Sequence, residues 1–325
     1  MGGKRLEHIG ERKAIELIKG LLSQGNAAVG IGDDCAALDL GDDYLLVTTD
    51  MITVRTHTPQ ATPNQIGWHL IAINLSDIAC KGGKPLGVVT ALGLPKETPI
   101  DFLKQLVNGM DRCAKTFGTA VIGGDTKESC ELTLTGTAFG LVKKKAFMPR
   151  SGARVGDLVA MTGSLGGAAA GYQALKRGLT RPKALKALLE PWPRVHEGRA
   201  LGEVRVVTSC IDISDGLSTS LHHLAGASKV GFSISYEMLP VHDEVQKVGF
   251  CDDKALQDAV LHFGGEYELL MTLSPDNLSK ANKAVERFGT ELTVIGVVTR
   301  SGILIEKDGK ARPLENNGWE HFRTH

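Results

Sequence analysis

The chain has 325 residues, is 42% apolar, and carries 37 basic and 37 acidic residues that cancel to a formal net charge of zero. That length predicts two domains rather than one core, and that apolar content excludes a disordered chain. The charge balance excludes a phosphate-neutralising nucleic-acid surface, since the densest basic run is only Lys143-Lys144-Lys145.

The start, Met1-Gly2-Gly3-Lys4-Arg5, lacks the apolar core of a signal peptide. A helix is expected over 11–23, with Ile15, Ile18, Leu21 and Leu22 on one face and Gly25-Asn26 closing it. Tyr44–Thr49 reads as a strand. Pro63 opens a helix that runs to Cys80 and stops at Gly82-Gly83. Leu86–Leu94 is a strand, and Thr98-Pro99 opens a helix ending at Gly118. Ala120–Ile122 is expected as a short strand ending on Gly123-Gly124-Asp125. Leu132–Val142 is a long strand, paired antiparallel in the same sheet. A boundary falls at Pro149-Arg150-Ser151-Gly152, dividing the chain into 1–149 and 150–325. Beyond it, strands at 157–161, 206–211, 232–236, 267–273 and 292–298 alternate with helices, the first following the turn Gly163-Ser164-Leu165-Gly166-Gly167. The pattern is an α+β domain followed by an α/β domain. No run reaches the ~18 apolar residues of a membrane span. The six scattered cysteines form no CxxC pair, so a reduced, soluble, cytoplasmic protein is expected.

Six aspartates recur in short turns rich in Gly, Ser and Thr: Asp34, Asp50, Asp77, Asp125, Asp212 and Asp215. Such small residues leave room for a ligand to approach the backbone. Gathered carboxylates repel one another unless cations neutralise them. Gly30-Ile31-Gly32-Asp33-Asp34 is either a polar loop or a pair of carboxylates reaching a shared cation. Thr48-Thr49-Asp50 supplies hard oxygen donors or a cap. Asp77 lies on an otherwise apolar helix face, where a carboxylate is costly without a partner. Gly124-Asp125 stands at a strand end, where ligands gather in sheets. In Asp212-Ile213-Ser214-Asp215, Ser214 either caps a helix or touches phosphate. Together the turns predict a Mg²⁺-dependent site for a polyphosphate. Neither G-x-x-x-x-G-K-[ST] nor a complete G-x-G-x-x-G is present. His57, beside Arg55 on a Thr/Pro-containing loop, is placed to meet an anion. Trp319 is either a packing anchor or a flat face for a cationic ring.

The motifs Gly-Ile-Gly-Asp-Asp, Thr-Thr-Asp, Asn-Leu-Ser-Asp, Gly-Gly-Asp-Thr, Arg-Ser-Gly-Ala, Thr-Gly-x-x-Gly, Ile-Asp-x-Ser-Asp-Gly-Leu and Gly-Gly-Glu occur in this order. The chain resembles the thiamine-monophosphate kinase family from about residue 7 to Phe322, within a superfamily that includes aminoimidazole ribonucleotide synthetase. The resemblance implies an N-terminal α+β domain that dimerises through its sheet, a C-terminal α/β domain, and transfer of phosphate from ATP to thiamine monophosphate with Mg²⁺. Carried over by motif, it implies metal ligation by Asp34, Thr48, Thr49, Asp50, Asp77, Asp125, Asp212 and Asp215. It implies ATP contacts from Gly124, Asp125, Arg150 and Ser214, and substrate contacts from His57, Glu266 and Trp319. The family commonly reads Gly-Gly-Glu-Asp-Tyr-Glu-Leu. Here Gly264-Gly265-Glu266-Tyr267-Glu268-Leu269 is one Asp shorter, and alignment on the glycines keeps Glu266. Thr48 stands where many relatives have Ser, which keeps the oxygen ligand.

A phosphate monoester acceptor is mostly dianionic near neutral pH and needs no general base, so no catalytic acid or base is expected. The competing readings are an ATP-dependent ribotide ring-closing ligase of the same superfamily and a non-catalytic nucleotide or Mg²⁺ sensor.

Overall fold

Two sheets organise the chain, each flanked by helices, in a computed structural model that describes residues 5–23, 25–56 and 58–322. The first half runs α1 (Gly10–Leu21), β1 (Ala27–Val29), β2 (Ala36–Leu40), β3 (Asp43–Thr53), α2 (Pro63–Cys80), β4 (Lys84–Leu94), α3 (Ile100–Thr116), β5 (Val121–Glu128) and β6 (Thr133–Lys143). Its sheet has the order β1-β2-β3-β6-β4-β5. The β4–β5 pair is parallel and the others antiparallel. Along β6 every second residue is buried, which leaves one sheet face packed and the other open.

The packed face carries α2. Thr62 and Gln65 form a reciprocal capping box at its start, with Pro63 in its first turn. The helix is apolar on nearly all sides because it is enclosed on nearly all sides: it lies against α3, β3 and β6 and meets the second half as well. Gly136 of β6 permits this approach, since a Cβ there would stand 2.5 Å from the Asn74 amide nitrogen.

The second half runs β7 (Leu158–Thr162), α4 (Gly167–Lys176), α5 (Pro182–Leu189), α6 (Val195–Val204), β8 (Val207–Asp212), α7 (Leu217–Ser228), β9 (Gly231–Ser235), α8 (Glu244–Val248), α9 (Asp253–Leu261), β10 (Leu269–Leu273), α10 (Leu278–Glu286), β11 (Leu292–Thr299), β12 (Ile303–Lys307) and β13 (Lys310–Pro313). The sheet order is β13-β12-β9-β11-β7-β10-β8. Among the described residues only β12–β9 pairs in parallel in this sheet, so the alternation of strands and helices here does not produce a parallel sheet.

Most expected elements are present with shifted ends, and one difference bears on the site. The strand expected to end at Ile122 continues to Glu128. Parallel pairing with β4 carries it straight through Gly123-Gly124. A Cβ on Gly124 would collide with the Thr90 carbonyl oxygen, so the glycine serves close strand approach rather than a turn. Among the described residues no helix is long and apolar enough to cross a membrane.

Candidate active site

Three elements bring the carboxylates together. Strand β3 alternates its side chains, so Thr48 and Asp50 both face α2. From α2, Asn74 Oδ1 accepts the Asp50 amide at 3.2 Å, while Asn74 Nδ2 donates to its own Leu70 carbonyl at 2.9 Å. Thr48 Oγ1 donates to Asp77 Oδ2 at 2.5 Å. One residue earlier on α2, Ser76 Oγ donates at 2.5 Å to Asp212 Oδ2, at the end of β8. A single turn of one helix thus joins the two halves at their acidic residues.

The electrostatics divide this cluster. Burial, with the neighbouring charges of Asp50, Asp212 and Asp34, pushes the Asp77 carboxyl well above the usual range. Burial likewise raises Asp50, despite a hydrogen bond shared with Asp77. Asp212 is raised to about 7 by burial and then by Asp34, against the hydrogen bond from Ser76. Asp215, in the turn after β8, is raised to about 6 by burial and then by Glu11. Asp34 behaves oppositely. Burial would raise it, but Arg150 and Lys81 hold its carboxyl well below the ordinary range. Arg150 Nε donates to Asp34 Oδ1 at 3.0 Å and Arg150 Nη2 reaches the same oxygen, while the Arg150 amide donates to Asp33 Oδ2 at 3.0 Å. An oxygen of Asp34, an oxygen of Asp212 and Cys80 Sγ lie within 4.8 Å of one another. The thiol is a soft donor in an otherwise hard set.

Asp34, Thr48, Asp50, Asp77 and Asp212 therefore converge, with Arg150 beside Asp34 and Asp215 on the same flank. Other expected residues are placed differently. Thr49 points to the opposite sheet face, as strand alternation requires, and its hydroxyl donates to Gly136 O at 2.9 Å. Asp125 pairs with Ala91, which aligns with Thr135 and Met51, so it too lies on that opposite face. It is exposed on an edge strand and ion-paired with Lys127 at 3.1 Å. Within this chain neither side chain reaches the carboxylate cluster, and Gly124 belongs to the same edge strand. Glu266 accepts the Gly166 and Ala168 amides at 2.9 and 3.3 Å, so its carboxylate caps the N-terminus of α4. Burial raises that carboxyl to about 8, against these amides. The turn at 163–167, open in the sequence as a phosphate cradle, spends those donors on Glu266.

Ser214 is half-buried and does not cap α7, whose N-terminal amides have no side-chain cap. Its carbonyl accepts the Gly265 amide at 2.7 Å. Gly216, at the start of α7, has φ +95°, and a Cβ there would meet the His262 carbonyl oxygen at 2.6 Å. Trp319 is half-exposed, and its amide donates to the Asp215 carbonyl at 3.2 Å, which brings the C-terminal segment to this turn. His57 lies outside the described residues.

Sequence reasoning missed Ser76, Asn74, Tyr267 and Lys81. The first two sit in the same helical stretch as Asp77, and that spacing was their signal. Tyr267 takes φ +54°, unusual for a side chain of that size. Burial raises its hydroxyl strongly, and the nearby Asp50 and Asp212 raise it further. Lys81 is fully buried, 2.6 Å from both Asp33 Oδ1 and Asp34 Oδ2. A lysine directly after an 18-residue helix with no other charged side chain than Asp77 was its signal.

Residues 32–142 match the family described as AIR synthase related protein, N-terminal domain, and residues 154–308 match its C-terminal domain. The chain is 34% identical over 299 residues to the thiamine-monophosphate kinase of Pyrococcus horikoshii, covering 90% of this chain and 91% of that one. It is 36% identical over 312 residues to that of Halobacterium salinarum, covering 96% and 99%. Among solved structures, "AaThiL complexed with AMPPCP and TMP" superposes with a TM-score of 0.86 at 28% identity, covering 99% of this chain and all of that one. These likenesses span both sheets and every element that carries the acidic cluster, and by them the chain belongs to the thiamine-monophosphate kinase family.

Proposed function

We propose that the chain transfers the terminal phosphate of ATP to thiamine monophosphate, with Mg²⁺, giving thiamine diphosphate and ADP. The observation that carries this reading is the convergence of half-buried Asp50 and Asp77 with buried Asp212 from both halves of the chain, with Arg150 alongside. A relative of the same fold is described with an ATP analogue and TMP.

The donor set fits a hard divalent ion. Half-buried Asp50 and Asp77 and buried Asp212 offer carboxylate oxygens, and the upward shift of all three, caused first by loss of water and then by neighbouring carboxylates, makes their ionisation costly without a cation. Mg²⁺ bound by these residues, with Asp215 on the flank, supplies the charge neutralisation that lets two phosphates approach. Thr48 and Ser76 orient Asp77 and Asp212 through their hydroxyls. The acceptor phosphate, already anionic, is its own nucleophile, so no residue need take a proton from it. The chain's contribution is alignment and electrostatics, and we read the transfer as direct and in line. The uncapped amides at the start of α7, beside Ser214 and Asp215, suit a phosphate oxygen. Trp319, tied to Asp215, suits the thiamine ring.

The open face of the first sheet supports a homodimer. Leu38 and Met51 are exposed there, and Ile122 lies over Gly87 on the same face. Asp125 and Thr49 share that face, where a second chain would cover them. The absence of any membrane-crossing helix among the described residues and the six unpaired cysteines fit a cytoplasmic enzyme.

A turnover assay with ATP, Mg²⁺ and thiamine monophosphate tests the proposal. Thiamine diphosphate and ADP are expected in equal amounts. Closure of a formyl ribotide instead would assign the ligase reading, and nucleotide binding without turnover would assign a sensor. Isolation of a phosphorylated protein that passes phosphate to thiamine monophosphate would overturn direct transfer.

A further inference from the structure

The acidic cluster has two sides with different counter-charges. On one side stand Asp33 and Asp34. Lys81 Nζ is 2.6 Å from Asp33 Oδ1, 2.6 Å from Asp34 Oδ2, and donates to the Cys210 carbonyl at 2.9 Å. The ammonium thus makes one hydrogen bond, to a backbone carbonyl, and two ion pairs, one to each carboxylate. The remaining oxygen of each carboxylate is taken by Arg150, through its amide to Asp33 Oδ2 and its guanidinium to Asp34 Oδ1. Two negative charges thus face two positive ones, with Asp34 Oδ2, which accepts no hydrogen bond, meeting Lys81 through charge alone.

On the other side stand Asp50, Asp77 and Asp212. Among the described residues none of them forms an ion pair with Lys or Arg. Their side-chain donors are hydroxyls, Thr48 to Asp77 and Ser76 to Asp212. Hydroxyl dipoles do not cancel three carboxylates gathered together, one of them buried and two half-buried.

Lys81 is completely buried. A buried ammonium is costly unless it is paired and hydrogen-bonded, and this one is, at the one place where the cluster is already neutral. We propose that Lys81 is a resident cation, standing where the acidic turn of residues 32–34 would otherwise require a divalent ion. Asp34 is then a partner of Lys81 and Arg150 rather than a metal ligand. Divalent ions are held by the Asp50, Asp77 and Asp212 side alone. Lys81 acts as a positioning residue: it keeps the turn and Arg150 in place before any metal arrives. The inference rests on the reading above that the cluster is a Mg²⁺ cage.

The test counts metal ions rather than turnover. Mn²⁺ is titrated into the chelator-treated full chain with a non-hydrolysable ATP analogue present, and bound Mn²⁺ is read by electron paramagnetic resonance. Lys81→Met is expected to bind an additional Mn²⁺ per chain, and its melting temperature should rise on adding Mg²⁺ by more than that of the unsubstituted protein. Asp34→Asn is expected to keep the unsubstituted stoichiometry. Loss of a bound Mn²⁺ in Asp34→Asn, or an unchanged count and an unchanged Mg²⁺ response in Lys81→Met, overturns the proposal. Should Lys81→Met fail to fold with or without Mg²⁺, the Asp34→Asn count decides alone. No bound Mn²⁺ in the unsubstituted protein would overturn the cage reading itself, an outcome separate from either of these.

Discussion

Ser76, in the middle of a helix of the first half, gives its hydroxyl to Asp212, at the end of a strand of the second, at 2.5 Å with both residues buried. This contact joins the two halves of the site and orients a carboxylate in one step. Ser76→Ala removes the donor and leaves a buried acceptor short of a partner. A stability loss of about 1–3 kcal/mol is expected by denaturant titration. A larger proportional loss is expected in the affinity for Mg²⁺ and ATP, because Asp212 loses its orientation as well. Unchanged nucleotide binding alongside the stability loss would make the contact purely structural.

Asp77 is the most surrounded carboxylate of the cluster, with Asp50, Asp212 and Asp34 all raising it beyond the effect of burial. Asp77→Asn removes a charge that the metal-free protein holds at a cost. The variant is expected to melt higher than the unsubstituted protein in chelator, and to gain less when Mg²⁺ is added. Turnover should fall by about 10²–10³-fold, the scale for losing one preorganised electrostatic contact. A lower melting temperature in chelator would show that Asp77 stabilises the fold rather than strains it.

How much of this was legible beforehand follows from what each signal depends on. Helix α2 was readable almost to the residue, because Pro63 at its start and Gly82-Gly83 past its end are local, and apolar periodicity fills the interval. Asp77 stood out as a carboxylate on an apolar helix. The convergence of Asp50, Asp77 and Asp212 was an inference from repeated turn chemistry, since sequence carries no distances. The face of a strand residue depends on register, so Thr49 and Asp125 were grouped with neighbours that point the other way. Glu266 was assigned by motif, yet its partners are backbone amides about a hundred residues distant. Lys81 was passed over because its role comes only from Asp33 and Asp34, brought to it by the tertiary fold.

Glu268 and Arg194 form a two-pronged pair, Nε to Oε2 and Nη2 to Oε1, both at 2.6 Å, and Thr162 adds a third donor at 2.7 Å. Burial alone would lower the Arg194 guanidinium, but the charge of Glu268 holds it raised. The pair anchors the segment that carries Glu266 and Tyr267. Arg194→Met should cost about 3–5 kcal/mol by leaving a buried carboxylate uncompensated. The double substitution Arg194→Met, Glu268→Met should recover much of that loss. A double variant as unstable as the sum of the single ones would show that the two residues do not act as a pair.

Asp212 and Asp215 make stability depend on pH in a direction opposite to that of a salt-bridged carboxylate. Their folded pKa values, about 7 and about 6, lie above the ordinary carboxylate range near 4 that the unfolded chain would show. Between those limits the folded, metal-free protein binds more protons than the unfolded one, so stability falls as pH rises. The favourable contribution is complete below about pH 4, declines through pH 4–7, and is gone above it, amounting to roughly a few kcal/mol for the two groups together. Mg²⁺ competes with those protons, so its affinity should climb over the same interval. Melting temperature measured in chelator from pH 5 to pH 8 should fall, while the gain on adding Mg²⁺ should grow. A flat profile in chelator would mean that Asp212 and Asp215 titrate like exposed carboxylates, and a Mg²⁺ gain independent of pH would mean that neither releases a proton to the metal.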